Sequence, residues 1–160
     1  MKEKSYALLE KLGVEYKKIE HPPLLTCEDG KLHRAIGDEL QVKNLFLQNK
    51  NKSNFYLVVL PADKRADLNQ IREALMESKL SFAGEAEMES KLRVTRGAVS
   101  LLNIASVEKP EVTVIVDNEI FKSEKAGFHP SINTETLVFE TKEIPKILNF
   151  VKAEWKGIDL

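Results

Sequence analysis

The chain has 160 residues, 42% hydrophobic and 31% charged, which is enough to bury the core of one globular domain without disulfide staples. Its 24 basic and 25 acidic residues leave a formal net charge of −1, which argues against a protein that coats DNA or RNA by charge alone. The one cysteine, Cys27, excludes an intramolecular disulfide framework, and the lack of a long apolar run or secretory signal predicts a cytoplasmic protein with no membrane partner.

The N-terminal part of the chain predicts a helix followed by an extended segment. Apolar residues at helical spacing indicate a helix over 2–12, which Gly13 ends. An extended stretch over 14–19 then reaches two prolines, which stop any regular element. The segment 26–40 is a helix candidate that two glycines interrupt.

A β-hairpin and a helix are predicted next. Two apolar runs, 42–47 and 55–61, are joined by a polar turn, which is typical of a hairpin. The second run is apolar on both faces, so we expect it to be a central strand. Asp67 is a suitable N-cap for a helix over 68–78. The residues expected to face inward from that helix are Leu68, Ile71, Leu75 and Met76.

Strands and helices are mixed in the second half without a strict βαβ alternation. Strands or extended pieces are predicted over 80–83, 112–117, 120–121 and 136–140, and helices over 85–92 and 144–151. A loop is expected at 127–130, and the tail 153–160 has no strong pattern. These elements favour a single α+β domain over 1–160 with a mixed or antiparallel sheet.

Few residues suggest chemistry by themselves. His129 lies in a loop between two strands, where it is either a structural turn residue or a binding residue. Lys43 stands at the head of an apolar strand, either as an edge lysine that reaches solvent or as a functional cation. Asp117 suits a turn after its strand, and Gly97 suits either a turn or a close approach of a ligand to the backbone.

Known catalytic patterns are missing from the sequence. The histidines lack metal-ligand spacing, and no hydrolase triad or glycine-rich nucleotide motif is present, so we predict no metal and no cofactor. His21 and His33 are interpreted as a turn residue and a solvated residue. The residues alone therefore indicate a soluble α+β domain with a polar pocket, and they name no reaction.

Several ordered segments resemble the YbaK/prolyl-tRNA-synthetase-associated editing domain family, most closely its free-standing ProX-type branch. The resemblance covers roughly residues 1–150 and is carried by EHPP at 20–23, KNLFL at 43–47, LVVLPADKR at 57–65, LSFA at 80–83, GAVS at 97–100 and FHPSINT at 128–134. It implies a strongly curved mixed sheet flanked by helices, with a small pocket.

The resemblance also implies a reaction and partners. The reaction is hydrolysis of the ester that joins a wrong amino acid, alanine in this branch, to the 3′ end of tRNA(Pro). The partners are that aminoacylated 3′ end and prolyl-tRNA synthetase, with no DNA involved. Two alternatives stay open: a cysteinyl-tRNA(Pro) deacylase, and a non-catalytic module that senses a small amino acid or an aminoacyl-tRNA and regulates proline metabolism.

Site residues carry over from the family by position. The resemblance implies catalytic roles for Lys43 at the pocket mouth, for Gly97 in a loop whose backbone N–H groups hold the ester carbonyl, and for His129 in the pocket wall. The substrate contacts that it implies are Asn44, Ala98, Val99, Ser100, Asp117 and Asn133. One departure is Arg96, where close relatives are expected to have proline.

An aminoacyl ester is already activated, so a positioned water and backbone donors for the oxyanion suffice as catalysts.

Overall fold

The computed structural model describes residues 2–23 and 39–160. The helix candidate at 26–40 lies almost wholly outside these ranges, and so do Cys27 and His33.

Helices and strands follow one another within the described residues. The α-helices are α1 (Lys2–Lys11), α2 (Leu68–Ala74), α3 (Glu85–Leu92) and α4 (Ile144–Phe150). The strands are β1 (Tyr16–Glu20), β2 (Leu40–Asn49), β3 (Phe55–Pro61), β4 (Leu80–Phe82), β5 (Val112–Asp117), β6 (Lys125–Phe128), β7 (Glu135–Glu140) and β8 (Trp155–Ile158). Short 3₁₀ helices span Leu101–Ser106, Asn118–Lys122 and Thr141–Glu143. None of the described helices is long and apolar enough to cross a membrane.

The strands form one mixed sheet in the order β1-β7-β6-β2-β3-β5-β8, with β4 also paired to β2. The β2–β3 hairpin runs in unbroken register from Val42↔Pro61 to Gln48↔Phe55. Strand β3 lies between β2 and parallel β5, and all of its residues are buried. The predicted α+β fold with a mixed sheet is therefore confirmed, and so is the central place of this strand.

Apolar side chains cover both faces of the central strands. Leu57 and Val59 of β3 pack in a large cluster with α1 and α4, whereas Val58 and Leu60 pack in a second cluster with Ile71 of α2. Successive residues of a strand point to opposite faces, so a strand that is covered on both sides must be apolar throughout. This explains the continuous apolar run of β3.

Asp67 caps α2 as predicted, but the helix ends earlier than expected. The Asp67 carboxylate accepts hydrogen bonds from the N–H groups of Asn69 and Gln70, at 3.0 and 3.2 Å. Leu75 is the C-cap, and Met76 has a φ of 58° with its side chain 92% exposed. The prediction that Met76 faces inward is therefore wrong, because the chain has already left the helix there.

Two predictions in the second half are also wrong, and one strand there was not predicted. Residues 120–121 lie in a 3₁₀ helix and not in an extended piece, because the Asp117 carboxylate caps that helix at the Glu119 N–H, 3.0 Å away. Gly127 and Phe128, expected in a loop, belong to β6, which pairs with β7. The patternless tail contains β8, which pairs in parallel with β5.

Candidate active site

A gap in the sheet beside β2 holds the main cavity. On its outer edge, β2 pairs with β6 only at Leu40 and Gln41, and with β4 only from Leu47 to Asn49. No described strand lies beside residues 42–46 on that edge, and all of these residues line a cavity of about 1060 Å³. The site is therefore built where two neighbouring strands diverge from β2.

The ends of the surrounding elements close the cavity. Its other walls come from the end of β6 and the residue after it, the end of β4, the start of α3, and the loop after α3. The residues that these segments contribute include Gly127, Phe128, His129, Phe82, Ala83, Gly84, Glu85, Met88, Arg96, Gly97 and Val99. Predicted site residues that are far apart in sequence thus meet in one cavity.

The cavity wall carries two cations without an acidic partner in the described part of the chain. Lys43 is half-buried and Arg96 is exposed, and neither side chain forms an ion pair or hydrogen bond with another described residue. Glu85 is the only acid among the described residues of the wall. The site therefore favours an anionic ligand, for which an unpaired guanidinium or ammonium group is a suitable contact.

The loop of small residues from Gly97 to Ser100 uses only some of its N–H groups internally. The Ala98 N–H donates to the Thr95 carbonyl at 3.2 Å, and the Ser100 N–H donates to the Asn103 side chain at 2.6 Å. The N–H groups of Gly97 and Val99 have no acceptor among the described residues, and both residues line the cavity. These are the donors of the loop that a ligand oxygen could use.

A buried polar network fixes this loop. The Asn103 amide nitrogen donates to the Ala98 carbonyl and to the Ser131 hydroxyl, at 3.3 and 3.0 Å. Ser100 caps the 3₁₀ helix through the Leu102 N–H at 3.2 Å. Ser100 and Asn103 are fully buried, so these bonds form in a medium of low polarity, where they are stronger than in water. The N–H groups of Gly97 and Val99 are therefore held in a fixed direction.

His129 is held as a neutral ring. Its Nδ1 donates to the Glu135 carbonyl at 2.9 Å, which leaves Nε2 as a hydrogen-bond acceptor. Burial lowers the pKa of His129 below its usual value, and the neighbouring His21 lowers it further, whereas the Glu135 hydrogen bond opposes them. A neutral imidazole in the wall can accept a proton or a hydrogen bond at physiological pH.

His21 is the residue that sequence patterns did not single out for this site. The centroid of its ring is 5.9 Å from the centroid of the His129 ring, in an edge-to-face contact. Nδ1 donates to the Pro22 carbonyl at 2.9 Å, and Nε2 forms a hydrogen bond with the Thr136 hydroxyl, 2.7 Å away. Thr136 lines the cavity. His21 and Thr136 are far apart in sequence. The only sequence signal that linked His21 to the site was its place in the EHPP segment, which carries part of the family resemblance.

The structure brings some predicted site residues together and places others elsewhere. Lys43, Asn44, Gly97, Val99 and His129 line the cavity. Ala98 and Ser100 are buried, Asn133 is partly buried, and all three lie outside the described wall. Their roles toward a substrate stay predictions.

Asp117 lies outside the described wall in a cluster of its own. Its side chain is 1% exposed, and its carboxylate is 2.7 Å from the Lys64 ammonium, which also lies 2.8 Å from Glu119. The hydrogen bond to Asp117, together with that to Glu119, raises the pKa of Lys64. In this position Asp117 stabilises the 3₁₀ helix that it caps and the loop that carries Lys64.

No three histidine, cysteine or acidic side chains of ranges 2–23 and 39–160 come together in a way that could hold a metal ion.

Comparisons with known proteins agree with this architecture. The family model of the aminoacyl-tRNA editing domain matches residues 21–147. The chain is 32% identical over 154 residues to the prolyl-tRNA editing protein ProX of Acetoanaerobium sticklandii, with 96% of this chain and 94% of that protein covered. It is 31% identical over 146 residues to the mouse prolyl-tRNA synthetase associated domain-containing protein 1, with 89% and 84% covered.

A solved structure has the same fold. It is described as a candidate trans-editing enzyme for prolyl tRNA synthetase. The two structures superimpose with a TM-score of 0.72 at 17% sequence identity, and the match covers 99% of this chain and 96% of the other. The family model spans most of the chain and includes the described cavity residues from Lys43 to His129. The chain therefore belongs to the aminoacyl-tRNA editing domain family.

Proposed function

We propose that this protein is a trans-editing deacylase that hydrolyses the ester bond of mischarged alanyl-tRNA(Pro). The observation that carries the proposal is the pair of N–H groups, at Gly97 and Val99, that lack an acceptor among the described residues, in a cavity lined also by Lys43 and by His129, whose pKa burial lowers. Membership of the editing family supports it, and so does the similarity to a named prolyl-tRNA editing protein.

In this reaction a water oxygen bonds to the ester carbonyl carbon, and the electrons of the carbonyl double bond move to its oxygen. The attacking water loses a proton, the tetrahedral intermediate collapses with cleavage of the bond to the ribose oxygen, and that oxygen takes up the proton that the water gave. The products are free alanine and tRNA. Backbone donors that face the developing oxyanion lower the barrier, by about 3–4 kcal/mol per donor in known oxyanion holes.

The remaining wall residues fit the other parts of the substrate. Lys43 contacts the anionic 3′ end of the tRNA. Neutral His129 accepts a hydrogen bond from the attacking water or from the substrate through Nε2. A hydroxyl of the terminal ribose helps to position the water. None of these steps needs a nucleophilic side chain.

Selectivity follows from the limits of the synthetase. The hydrophobic aminoacylation site of a synthetase cannot strongly reject an amino acid slightly smaller than the correct one. A second, hydrolytic site is therefore required, which admits the smaller amino acid and excludes the larger, correct amino acid. We expect the walls to admit alanine and to exclude proline.

The test is deacylation of labelled alanyl-, cysteinyl- and prolyl-tRNA(Pro) by the purified protein. We expect turnover of the alanyl substrate and no acceleration over buffer for the prolyl one. Preferred hydrolysis of cysteinyl-tRNA(Pro) would change the substrate, and binding of aminoacyl-tRNA without turnover would support a regulatory module. Either result would refute the proposal.

A further inference from the structure

The hydrogen bonds at the two ends of the gap show which way the peptide groups of β2 point there. The Gln41 carbonyl accepts from the Ala62 N–H at 2.8 Å, on the side of β3. The Phe46 carbonyl accepts from the Ala83 N–H at 2.9 Å, on the opposite edge. The β2–β3 register has no bulge between these points. Peptide groups alternate along a strand, so even-numbered residues here direct both N–H and C=O to the outer edge.

Asn44 is therefore the residue at the centre of the open edge. Its N–H and C=O both point toward the cavity, and neither has a hydrogen-bond partner among the described residues. Its side chain is fixed separately, because Oδ1 accepts from the Leu101 N–H at 3.1 Å. An unpaired strand edge is a template for a further extended segment, since its donors and acceptors are already aligned.

We propose that the aminoacyl group of the substrate pairs with Asn44 as a one-residue antiparallel β-bridge; this rests on the proposed function. In a hydrogen-bonded antiparallel pair, two residues exchange one N–H···O bond in each direction. The α-ammonium group of the bound amino acid donates to the Asn44 carbonyl. The Asn44 N–H donates to the ester carbonyl oxygen, which belongs to the same amino acid as the α-ammonium group.

This bridge has a chemical consequence. The ester carbonyl oxygen gains negative charge as water attacks, so the bond from the Asn44 N–H is strongest in the transition state. The Asn44 N–H adds a donor to those of Gly97 and Val99. The bridge uses only groups that every α-amino acid has, so it recognises the aminoacyl class and leaves side-chain selection to the cavity walls.

The first test replaces one backbone N–H. The α-hydroxy analogue of asparagine is introduced at position 44 by semisynthesis, which turns that N–H into an ester oxygen and keeps the side chain. The matched control has the same analogue at Asn51, an exposed asparagine in the hairpin turn. Thermal unfolding shows that each protein folds. On alanyl-tRNA(Pro) we expect kcat to fall at least tenfold for the position-44 ester and to stay within twofold for the position-51 ester.

The second test uses the unmodified protein, so it holds even if the position-44 ester does not fold. Alanyl-tRNA(Pro) is compared with propionyl-tRNA(Pro), which lacks the α-ammonium group, and each rate is divided by its rate in buffer. We expect the alanyl substrate to be accelerated at least tenfold more. Equal acceleration, or full activity of a folded position-44 ester, would overturn the bridge while leaving the deacylase function intact. An unmodified protein that hydrolyses no aminoacyl-tRNA would refute the proposed function itself.

Discussion

The side chain of Asn44 accepts a hydrogen bond from the backbone N–H of Leu101, 3.1 Å away, and so joins the open edge of β2 to the loop that follows Gly97. Leu101 is fully buried, so its N–H would otherwise lack a partner in the described structure. This contact fixes the distance between two sets of backbone groups that face the same cavity. It makes the positions of the strand and of the loop depend on one amide side chain.

Replacing Asn44 by alanine removes this link. Because a buried donor loses its acceptor, we expect the free energy of unfolding to fall by about 1–3 kcal/mol. We also expect kcat on alanyl-tRNA(Pro) to fall, because the loop is no longer held against β2. Asn44→Asp keeps an acceptor oxygen and serves as the control, with a smaller loss of stability. Chemical denaturation checks this, and an Asn44→Ala protein as stable as the wild type would contradict it.

Lys43→Ala is expected to lower kcat/KM for alanyl-tRNA(Pro) at least tenfold without loss of stability. Lys43 has no ion-pair partner among the described residues, so its removal leaves no carboxylate there unpaired. Lys50→Ala is the matched control, since Lys50 is an exposed lysine of the same hairpin outside the described cavity wall. We expect it to retain activity within twofold. Equal effects of the two substitutions would show that only the general positive charge matters.

Arg96→Gln tests whether the second cation of the wall contacts a phosphate of the RNA. We expect KM to rise several-fold with little change in kcat, and the dependence of log KM on log salt concentration to weaken by about 0.7 for one lost contact to a single strand. The control is Arg93→Gln, because Arg93 is exposed on the same segment outside the described wall. A salt dependence that is the same for both variants would argue against the contact.

The lowered pKa of His129 makes stability depend on pH in a defined window. In the unfolded chain this histidine takes up a proton near pH 6.5, whereas in the folded protein its pKa is lower because it is buried. Below pH 6.5 the unfolded state therefore binds more protons, and the free energy of unfolding falls as the pH decreases toward the folded pKa. His129→Gln removes this contribution. Denaturation of both proteins between pH 8 and pH 5 should show a steeper fall for the wild type, and parallel curves would refute the assignment.

Asp117→Asn separates a structural role from a substrate contact. The amide still caps the 3₁₀ helix, but it no longer offers a charge to Lys64, and hydrogen bonds to charged groups contribute about 1.5–3 kcal/mol. We expect the free energy of unfolding to fall by about that amount. We expect KM measured well below the melting temperature to change less than twofold. A tenfold rise in KM at unchanged stability would instead favour the substrate contact that the family resemblance implies.

Local sequence signals predicted the parts of the fold that depend on neighbouring residues. The β2–β3 hairpin, the Asp67 cap and the helix at 85–92 each follow from a short pattern, and each was found. Strand β8 was missed because its pairing with β5 comes from distant residues, while its own sequence, WKGI, shows no alternation of apolar and polar residues. Local periodicity carries no information about such partners.

The candidate site was predictable only where the family resemblance reached it. The contact of His21 with Thr136 joins two segments that no spacing rule connects. The open edge at Asn44 depends on where β6 and β4 stop pairing with β2, and no residue type marks that point. Asp117 has the residue type of a pocket carboxylate, yet its burial beside Lys64 is a property of the tertiary structure.

The gap beside β2 is bounded by two pairing registers, Gln41 with Gly127 at one end and Leu47 with Phe82 at the other. Its length is therefore a property of strand pairing and not of the side chains that line it. Each further residue paired at either end would shorten the opening by about 3.3 Å. Insertions or deletions in the segments that lead into β4 and β6 could thus resize the opening in related proteins, while every residue that faces the substrate stays the same.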